Sequence, residues 1–535
     1  NMSRYFLVVG GADKGGILVR SGESLNSSAL AERLAAGAVV RGLALTKSGR
    51  LQYKLLVGSG PDAGWVSIRA MGKELLLACR DPSERYASCR GSMPFTEKQE
   101  GQQQLVTAAA TVPQRLVSPL TAELAPALLG QSAGLPRRVE EIEVPPGRRL
   151  RVITISDVHA DYAPNLHWLE QHLPPLNSAR NQYNVLLLAG DVSDDIGKLE
   201  ETLDLLLRGF DLVCFTPGNH DLWVRRPGSP EDSMAKLQLI FQTCAARGVK
   251  TGPLRLRRAR DEPAPAPDLL LAPLLSFYCS DWDREPDPPW VGREQREMLG
   301  WLDFRAIRWP PNFESEVRQR LGEHFLFGSH GTSRHLSELF AAANETWLEE
   351  LLAMRNEQVE LPHVVISFSH FVPRQELLPE KRFLLDAMLH RVSGSCVLED
   401  QVRRLAPDVH VFGHTHLSVD VEVQGQRYIQ WALGNPREQR KMTNVVADTG
   451  MLVLYDSGGD PPHMAPVQFT YWGNYFQSGP RAPSEFCPPS YVRKLVQYQY
   501  PDADIPGDDE FFQRTRHGGP SITSYDGRYE ARWRQ

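Results

Sequence analysis

Five short motifs along the middle of the chain carry side chains that can bind metal ions. Together they supply carboxylates, one amide and several imidazoles, a mixture of hard oxygen and nitrogen donors. This mixture suits Fe, Mn or Zn better than Ca, and the lack of Cys donors argues against a structural zinc site. The motifs are Asp157-Val158-His159, Gly190-Asp191, Gly218-Asn219-His220-Asp221, Ser369-His370 and Gly413-His414-Thr415-His416.

The spacing of the first two motifs allows one side chain to serve two ions. Asp157 and His159 are two residues apart, and residues two apart in an extended segment face the same way, so both can reach one ion. Gly190 lets the backbone turn tightly before Asp191. Because a carboxylate has two oxygens, Asp191 can bridge two ions.

The later motifs supply the remaining ligands. Asn219 offers a neutral oxygen, His370 an imidazole, and His414 and His416 are again two residues apart, so each ion can receive one of them. We therefore expect two divalent or trivalent ions as cofactors (Fe, Mn or Zn). Two ions roughly 3.5–4 Å apart can clamp the attacking and leaving oxygens of a phosphoryl displacement, and a bridging water then needs no side-chain base.

Each motif directly follows an apolar run that predicts a buried strand. Helix-period segments at Leu199–Leu207 and Met234–Arg247 lie between the runs, and this alternation favours an α/β fold whose functional loops lie at strand ends. The runs are Leu150–Ser156, Val185–Ala189, Leu212–Thr216, Val364–Phe368 and Val409–Phe412.

A single motif of this kind is a weak signal, since D-x-H or paired His on a turn occurs by chance. All five in order, each at the end of an apolar strand, make a strong one. His330, in Gly328-Ser329-His330-Gly331, is the one competitor of His370. We prefer His370 because the clean strand Val364–Phe368 comes directly before it.

This arrangement resembles the calcineurin-like metallophosphoesterase superfamily over residues 148–458. The resemblance implies a four-layer α/β/β/α sandwich. It implies that His220 is a non-ligand histidine that protonates the leaving oxygen or steadies the phosphoryl charge, and that Asp194 orients this histidine. It assigns one ion to Asp157, His159, Asp191 and His416, and the other to Asp191, Asn219, His370 and His414.

The sequence departs from the protein Ser/Thr phosphatase branch of the superfamily. That branch has Arg directly after the Asp that corresponds to Asp194, where this chain has Asp195. It has Glu directly after its G-N-H, where this chain has Asp221. A Ser/Thr phosphatase of that type is therefore not expected. Arg225 and Arg226 follow the motif and are candidates for contacting a substrate phosphate, although an exposed structural role is equally compatible with the sequence.

The remaining segments suggest four parts. Residues 5–80 read as a small SH3-like β module with one short helix between Ser28 and Ala36, and residues 81–147 as a linker with a short helix near Leu120–Leu129. Residues 148–458 are the domain that the resemblance implies, with a hairpin expected to turn at Gln424-Gly425. Residues 459–535 are expected to form an extension that covers the core with its aromatic side chains, with a disordered tail as the alternative for about the last 25 residues.

Composition narrows the classes of function. The net charge of −6 argues against the broad basic surface of a nucleic-acid-binding protein. No apolar run reaches about 18 residues, so no transmembrane helix is expected. The seven cysteines are scattered without a CxxC, which is typical of reduced thiols, and we expect a cytoplasmic protein. The first residue is Asn1 rather than Met, which leaves a preceding segment open.

The leading hypothesis is a phosphatase-type hydrolase in which a metal-bound hydroxide attacks a phosphate ester and His220 assists the leaving group. Its substrate is a phosphorylated compound of unknown identity. A phosphodiesterase acting on nucleotide or lipid diesters is the alternative within hydrolases. A non-catalytic scaffold that keeps the fold is the alternative from another class. A third hypothesis is that the N-terminal module recruits a protein partner.

Overall fold

The computed structural model divides the chain into two compact units, Asn1–Gln114 and Arg115–Gln535. The described residues are 4–8, 16–34, 39–46, 48–57, 60–70, 73–79, 117–129, 135–174, 181–258, 266–291, 301–321, 334–359, 361–384, 386–441, 444–458, 463–478, 481–489 and 492–493.

The first unit is built on an antiparallel sheet in the order β3-β2-β6-β5-β4-β1-β9, with β7 and β8 paired separately. Its own small core includes Tyr53 and Val66, both fully buried. The strands are Arg4–Val8 (β1), Ile17–Arg20 (β2), Ala29–Leu34 (β3), Val39–Leu45 (β4), Arg50–Val57 (β5), Ala63–Ser67 (β6), Arg69–Ala70 (β7), Lys73–Glu74 (β8) and Leu76–Cys79 (β9).

The predicted short helix between Ser28 and Ala36 is wrong, because Ala29–Leu34, the described part of this segment after Ser28, forms strand β3. β3 pairs antiparallel with β2, with Ile17 opposite Leu34, and the Leu34 side chain is fully buried. A helix this short gains little by itself. Strand pairing and the burial of Leu34 therefore decide the structure.

The second unit contains a seven-stranded sheet in the order β10-β14-β15-β16-β17-β19-β18 and a five-stranded sheet in the order β13-β12-β11-β20-β21. Their strands are Glu140–Glu143 (β10), Arg149–Ile155 (β11), Gln182–Ala189 (β12), Leu212–Thr216 (β13), Leu254–Arg257 (β14), Leu269–Pro273 (β15), Val364–Phe368 (β16), Val409–Phe412 (β17), Val419–Val423 (β18), Gln426–Gln430 (β19), Leu452–Asp456 (β20) and His463–Met464 (β21).

Helices accompany both sheets, so the predicted mixed α/β class is confirmed, while the four-layer order stays a prediction. None of the described helices is both long and apolar enough to cross a membrane. The helices are Pro119–Leu128 (α1), Ala163–His172 (α2), Ile196–Leu206 (α3), Ser233–Ala246 (α4), Asp303–Ala306 (α5), Phe313–Leu321 (α6), Arg334–Arg355 (α7), Cys396–Leu405 (α8), Val446–Thr449 (α9) and Tyr471–Ser478 (α10).

The strands that carry the metal-binding motifs run parallel. β11 pairs with β12 and β12 with β13, so that Ile155 lies opposite Leu188 and Ala189 opposite Thr216. In the other sheet β16 pairs parallel with β17. Parallel strands end at one edge of their sheet, so the loops that follow them are neighbours.

The boundaries of the second unit differ from those expected. Glu140–Glu143 is a strand that pairs with β14, so part of the predicted linker belongs to this unit. The helix expected near Leu120–Leu129 is confirmed as α1. After residue 458, β21 adds to the five-stranded sheet, and Trp472 of α10 is buried against Phe383.

Candidate metal centre and active site

The motif side chains lie on tight loops directly after their strands, and five of them adopt a left-handed backbone. Non-glycine residues rarely do so, and each such residue costs about 1–3 kcal/mol, which other interactions of the folded structure must offset. Strain of this kind concentrates at functional sites. The φ angles are 50° at Asp157, 45° at His159, 56° at Asp191, 78° at His414 and 56° at His416.

Asp221 holds two of these loops together. One carboxylate oxygen accepts from the backbone N–H groups of Val192 (2.9 Å) and Ser193 (3.0 Å). The other accepts from those of Asp191 (2.9 Å) and Gly218 (2.8 Å). Asp221 thus organises the loop that carries Asp191.

The first cluster of potential ligands is Asp157, His159, Asp191 and His416, whose ligand atoms lie within 4.8 Å of one another. Nε2 of His159 and Nε2 of His416 are 2.9 Å apart, and Nε2 of His416 is 3.3 Å from Oδ1 of Asp157. The other ring nitrogen of His416 lies 2.6 Å from Oε2 of Glu438. Glu438 therefore fixes which nitrogen of His416 faces the cluster.

The second cluster is Asp191, His370 and His414, so Asp191 belongs to both. Nε2 of His370 and Nδ1 of His414 each lie 3.0 Å from Oδ1 of Asn219. The structure thus brings together all seven side chains that the sequence predicts as ligands. His330, the competitor of His370, lies outside the described residues.

The donor set of the second cluster fits a cation. The outer nitrogens of His370 and His414 face the carbonyl oxygens of Ala189 (3.0 Å) and Val392 (2.8 Å), so each donates its N–H there. Burial lowers the pKa of both imidazoles, which favours their neutral forms. Two bare nitrogens and the oxygen of Asn219 then converge without a proton between them, which a metal ion would satisfy.

The buried carboxylates also indicate that a cation binds at the clusters. Burial raises the pKa of Asp191 well above its usual range, and the neighbouring Asp221 and Asp157 raise it further. Burial acts in the same sense on Asp157, but the imidazoles of His416, His370 and His159 outweigh it and lower the pKa of Asp157. Carboxylates crowded in this way are stabilised when positive charge lies between them.

Close backbone approach makes room for these side chains. A Cβ on Gly190 would collide with the ring of His370, and one on Gly218 would collide with Oδ1 of Asp191. Glycine at both positions is therefore a requirement of the packing around the clusters.

His220 lies beside the clusters without belonging to either. Its Nε2 is 3.9 Å from Oδ2 of Asp191, and its backbone N–H donates to Oδ1 of the same residue at 2.9 Å. Its ring stacks on Trp223 with centroids 3.6 Å apart, and the side chain is 28% exposed. Burial lowers the pKa of His220 well below its usual value, as do the neighbouring imidazoles.

Asp194 does not orient His220 as predicted. Its carboxylate accepts from Nε of Arg225 at 2.5 Å and from Nε of Arg226, and no hydrogen bond joins it to His220 among the described residues. Stacking on Trp223 holds the histidine ring instead. Asp195, the other departure from the Ser/Thr phosphatase branch, caps α3 by accepting from the backbone N–H of Lys198 at 3.0 Å.

Arg225 and Arg226 differ in how they are held. Arg226 also donates to Oδ1 of Asp161 at 2.7 Å. Arg225 lies over the ring of Trp223, 4.6 Å from its centroid, with its side chain 46% exposed. Arg225 therefore presents more of its guanidinium to solvent, on the same tryptophan that stacks with His220.

Several residues that shape the site were missed by sequence reasoning: Asn165, Trp223, Asp303 and Glu438. Asp221 lies within the motif Gly218-Asn219-His220-Asp221, but its role in holding the loops did not follow from its position. Glu438 is 22 residues beyond the histidine it binds, and Asn165 lies on α2. No local pattern marks such residues.

A model of the calcineurin-like phosphoesterase family matches residues 150–418 of this chain. The chain belongs to this family. It is thus a metallophosphoesterase, a hydrolase that acts on phosphoric ester bonds, and its family uses divalent metal ions.

The chain is also similar to several individual proteins. It is 25% identical over 295 residues to the [acyl-carrier-protein] phosphodiesterase PptH of Mycobacterium tuberculosis. This alignment covers 54% of this chain and 78% of PptH. The crystal structure of PptH, phosphopantetheinyl hydrolase, aligns with a TM-score of 0.40 at 20% identity, covering 57% of this chain and 96% of that one. A cold-active protein-tyrosine phosphatase of a Shewanella species aligns with a TM-score of 0.24 at 10% identity, and the alignment covers 79% of this chain and 97% of the phosphatase.

Proposed function

We propose that this chain hydrolyses a phosphate ester with the help of two metal ions. The observation that carries the proposal is the pair of ligand clusters that share Asp191. Asp157, His159, Asp191 and His416 would hold one ion, and Asp191, Asn219, His370 and His414 the other. When bound, such ions polarise the phosphoryl oxygens and make water acidic enough to attack near neutral pH.

His220 is the group suited to assist the leaving oxygen. It is partly exposed at the edge of the clusters, whereas the second-cluster imidazoles of His370 and His414 are buried. Its lowered pKa means that the free site holds it neutral, but an anionic phosphate placed beside it would raise that pKa. The histidine can then carry the proton that the leaving oxygen takes up.

Arg225 is the better candidate of the two arginines for contacting the substrate. Its Nε is used by Asp194, which fixes the guanidinium, and the described residues offer its terminal nitrogens no further hydrogen bond. Those nitrogens can bind an anionic oxygen of the substrate in a forked geometry. Arg226, which also pairs with Asp161, is placed to support this arrangement.

Two variants test these roles separately. Asp191→Asn is expected to lose metal and turnover together, because it removes the carboxylate common to both clusters. His220→Ala is expected to keep the metal and lose about 10²–10⁴-fold in rate, the usual contribution of a positioned proton donor. Full activity in either variant would reject the role given to that residue.

A diester is the second candidate substrate, favoured by the match to PptH over 295 residues, since PptH is a phosphodiesterase of acyl carrier protein. Parallel assays on 4-nitrophenyl phosphate, bis(4-nitrophenyl) phosphate and phosphopantetheinylated acyl carrier protein separate the two candidates. Faster cleavage of the monoester would favour the phosphatase, and faster cleavage of either diester the phosphodiesterase. A purified chain that binds no metal and cleaves none of the three would favour a non-catalytic scaffold.

A further inference from the structure

A buried carboxylate outside both ligand clusters collects four side-chain donors. Asp303 is 2% exposed and accepts from Nδ2 of Asn219 at both of its oxygens (2.9 and 3.1 Å). It also accepts from Nε1 of Trp223 (2.6 Å), Nε1 of Trp301 (2.9 Å) and the hydroxyl of Tyr278 (3.0 Å). An ionised carboxylate only accepts hydrogen bonds, so each of these donors is oriented toward it.

The contact to Asn219 decides which end of its amide faces the second cluster. Because Nδ2 is held by Asp303, Oδ1 must point the other way, where it lies 3.0 Å from the ring nitrogens of His370 and His414. The reversed amide would present N–H groups to the cluster. Those groups cannot bind a cation, so the orientation of Asn219 determines whether it can be a ligand.

The hydrogen bond from Trp223 connects Asp303 to the surroundings of His220. Trp223 is buried, and its indole N–H donates to Oδ1 of Asp303. The same indole stacks on the ring of His220. Asp303 therefore holds both the amide that faces the second cluster and the surface that supports the proposed proton donor.

We infer that Asp303 is a positioning residue for the reaction, acting through Asn219 on the metal and through Trp223 on His220. The inference rests on the proposed metal-dependent function. Asp303 lies 84 residues beyond Asn219, in the segment between β15 and β16. Carboxylates that orient metal ligands commonly contribute 10–100-fold to metal affinity or activity.

The test replaces Asp303 with Asn, which keeps the size of the side chain but turns an NH₂ group toward some of the four donors. Metal affinity is measured by calorimetry with Mn²⁺ or Zn²⁺, and bound metal by elemental analysis. We expect about 10–100-fold weaker binding at the second site and a fall in kcat larger than any change in KM. Asp232→Asn is the matched control, because Asp232 caps α4 with a single bond to the backbone N–H of Ala235 that Asn can also accept.

A reciprocal exchange separates positioning from general damage. In the double variant Asn219→Asp with Asp303→Asn, the amide at 303 can again donate to position 219, whose carboxylate oxygen still faces the cluster. Because a carboxylate at position 219 attracts a cation by itself, metal affinity is compared in a double-mutant cycle with both single variants, and the cycle should show a coupling of about tenfold, the size expected for directly coupled side chains. Trp301→Phe, which removes one donor to Asp303, should weaken metal binding in the same direction but less, and it serves if Asp303→Asn does not fold.

The outcomes distinguish this inference from the proposed function. If the unaltered chain binds no metal, the proposed function fails. If it binds metal and Asp303→Asn and Trp301→Phe bind it equally well with unchanged kcat, only the role of Asp303 is overturned. Loss of affinity in Asp303→Asn without coupling between positions 219 and 303 in the cycle would also reject the action through Asn219.

Discussion

Asn165 on α2 joins the loop that carries Asp157 and His159 to the loop after β19. We expect Asn165→Ala to lower the free energy of unfolding substantially. Its Nδ2 donates to the carbonyl oxygens of Val158 (2.7 Å) and Gly434 (2.9 Å), with a weaker contact to that of His159 (3.3 Å). Its Oδ1 accepts from Nε2 of Gln439 at 2.8 Å. The side chain is fully buried.

The cost of Asn165→Ala can be built from these contacts. Three good hydrogen bonds contribute about 1 kcal/mol each, and a buried carbonyl left without a partner costs about 1–3 kcal/mol more. Gly434 keeps a second donor in Gln439 at 3.0 Å, so Val158 is the carbonyl that loses its short bond. We therefore expect the free energy of unfolding to fall by roughly 4–6 kcal/mol.

Urea unfolding of the metal-free protein, followed by tryptophan fluorescence, measures this loss directly. Asn184→Ala is the control, since Asn184 is equally buried but its Oδ1 has no hydrogen-bond partner, and its replacement should cost less than about 1.5 kcal/mol. The metal-loaded variant should also lose turnover, because His159 follows Val158. A loss below about 1 kcal/mol in Asn165→Ala, or a loss equal to that of Asn184→Ala, would contradict this role of the Asn165 hydrogen bonds.

Three further predictions concern charge and metal. Burial lowers the pKa of Lys236 to about 8, whereas its ordinary value is 10.5, so between these two pH values the unfolded chain binds more protons than the folded one. The free energy of unfolding should therefore rise with pH in this range by up to about 3 kcal/mol. Urea unfolding at a series of pH values measures this rise, and Lys236→Met should lack it. Arg225→Met should raise KM about tenfold with kcat nearly unchanged, whereas Arg247→Met, which breaks an ion pair with Asp204, should change neither in steady-state assays. Removing metal with a chelator should lower the unfolding temperature and abolish turnover, and added Mn²⁺ or Zn²⁺ should restore both, as scanning calorimetry and activity would show. An unchanged pH profile, an unchanged KM or a chelator-resistant enzyme would each contradict the corresponding prediction.

Much of the scaffold around the site could be predicted because the chemistry and the strands are marked in the same stretches of sequence. The predicted runs Leu212–Thr216, Val364–Phe368 and Val409–Phe412 coincide with β13, β16 and β17. A continuous apolar run followed at once by a polar motif leaves few alternatives for where the chain turns. The convergence of the seven side chains follows from parallel strands that end together.

The residues that hold the ligands could not be predicted, because their partners are distant in the sequence. Asp303 meets Asn219 across 84 positions, and Asn165 meets Gly434 across 269. The error on Asp194 has the same origin: two arginines supplied by the next loop take its carboxylate, which position alone does not show. The helix wrongly predicted between Ser28 and Ala36 reflects the pairing of strand β3, which a local pattern does not contain. Recruitment of a protein partner by the N-terminal module stays a prediction.

The most direct test of the central claim is the metal content of the purified protein, measured by elemental analysis after reconstitution with Mn²⁺, Fe²⁺ or Zn²⁺ and removal of excess ion. Because the two ligand clusters share Asp191, we expect close to two ions per chain for the unaltered protein and a large loss in Asp191→Asn, with turnover falling in parallel. A chain that turns over substrate fully with less than one ion bound would contradict this expectation.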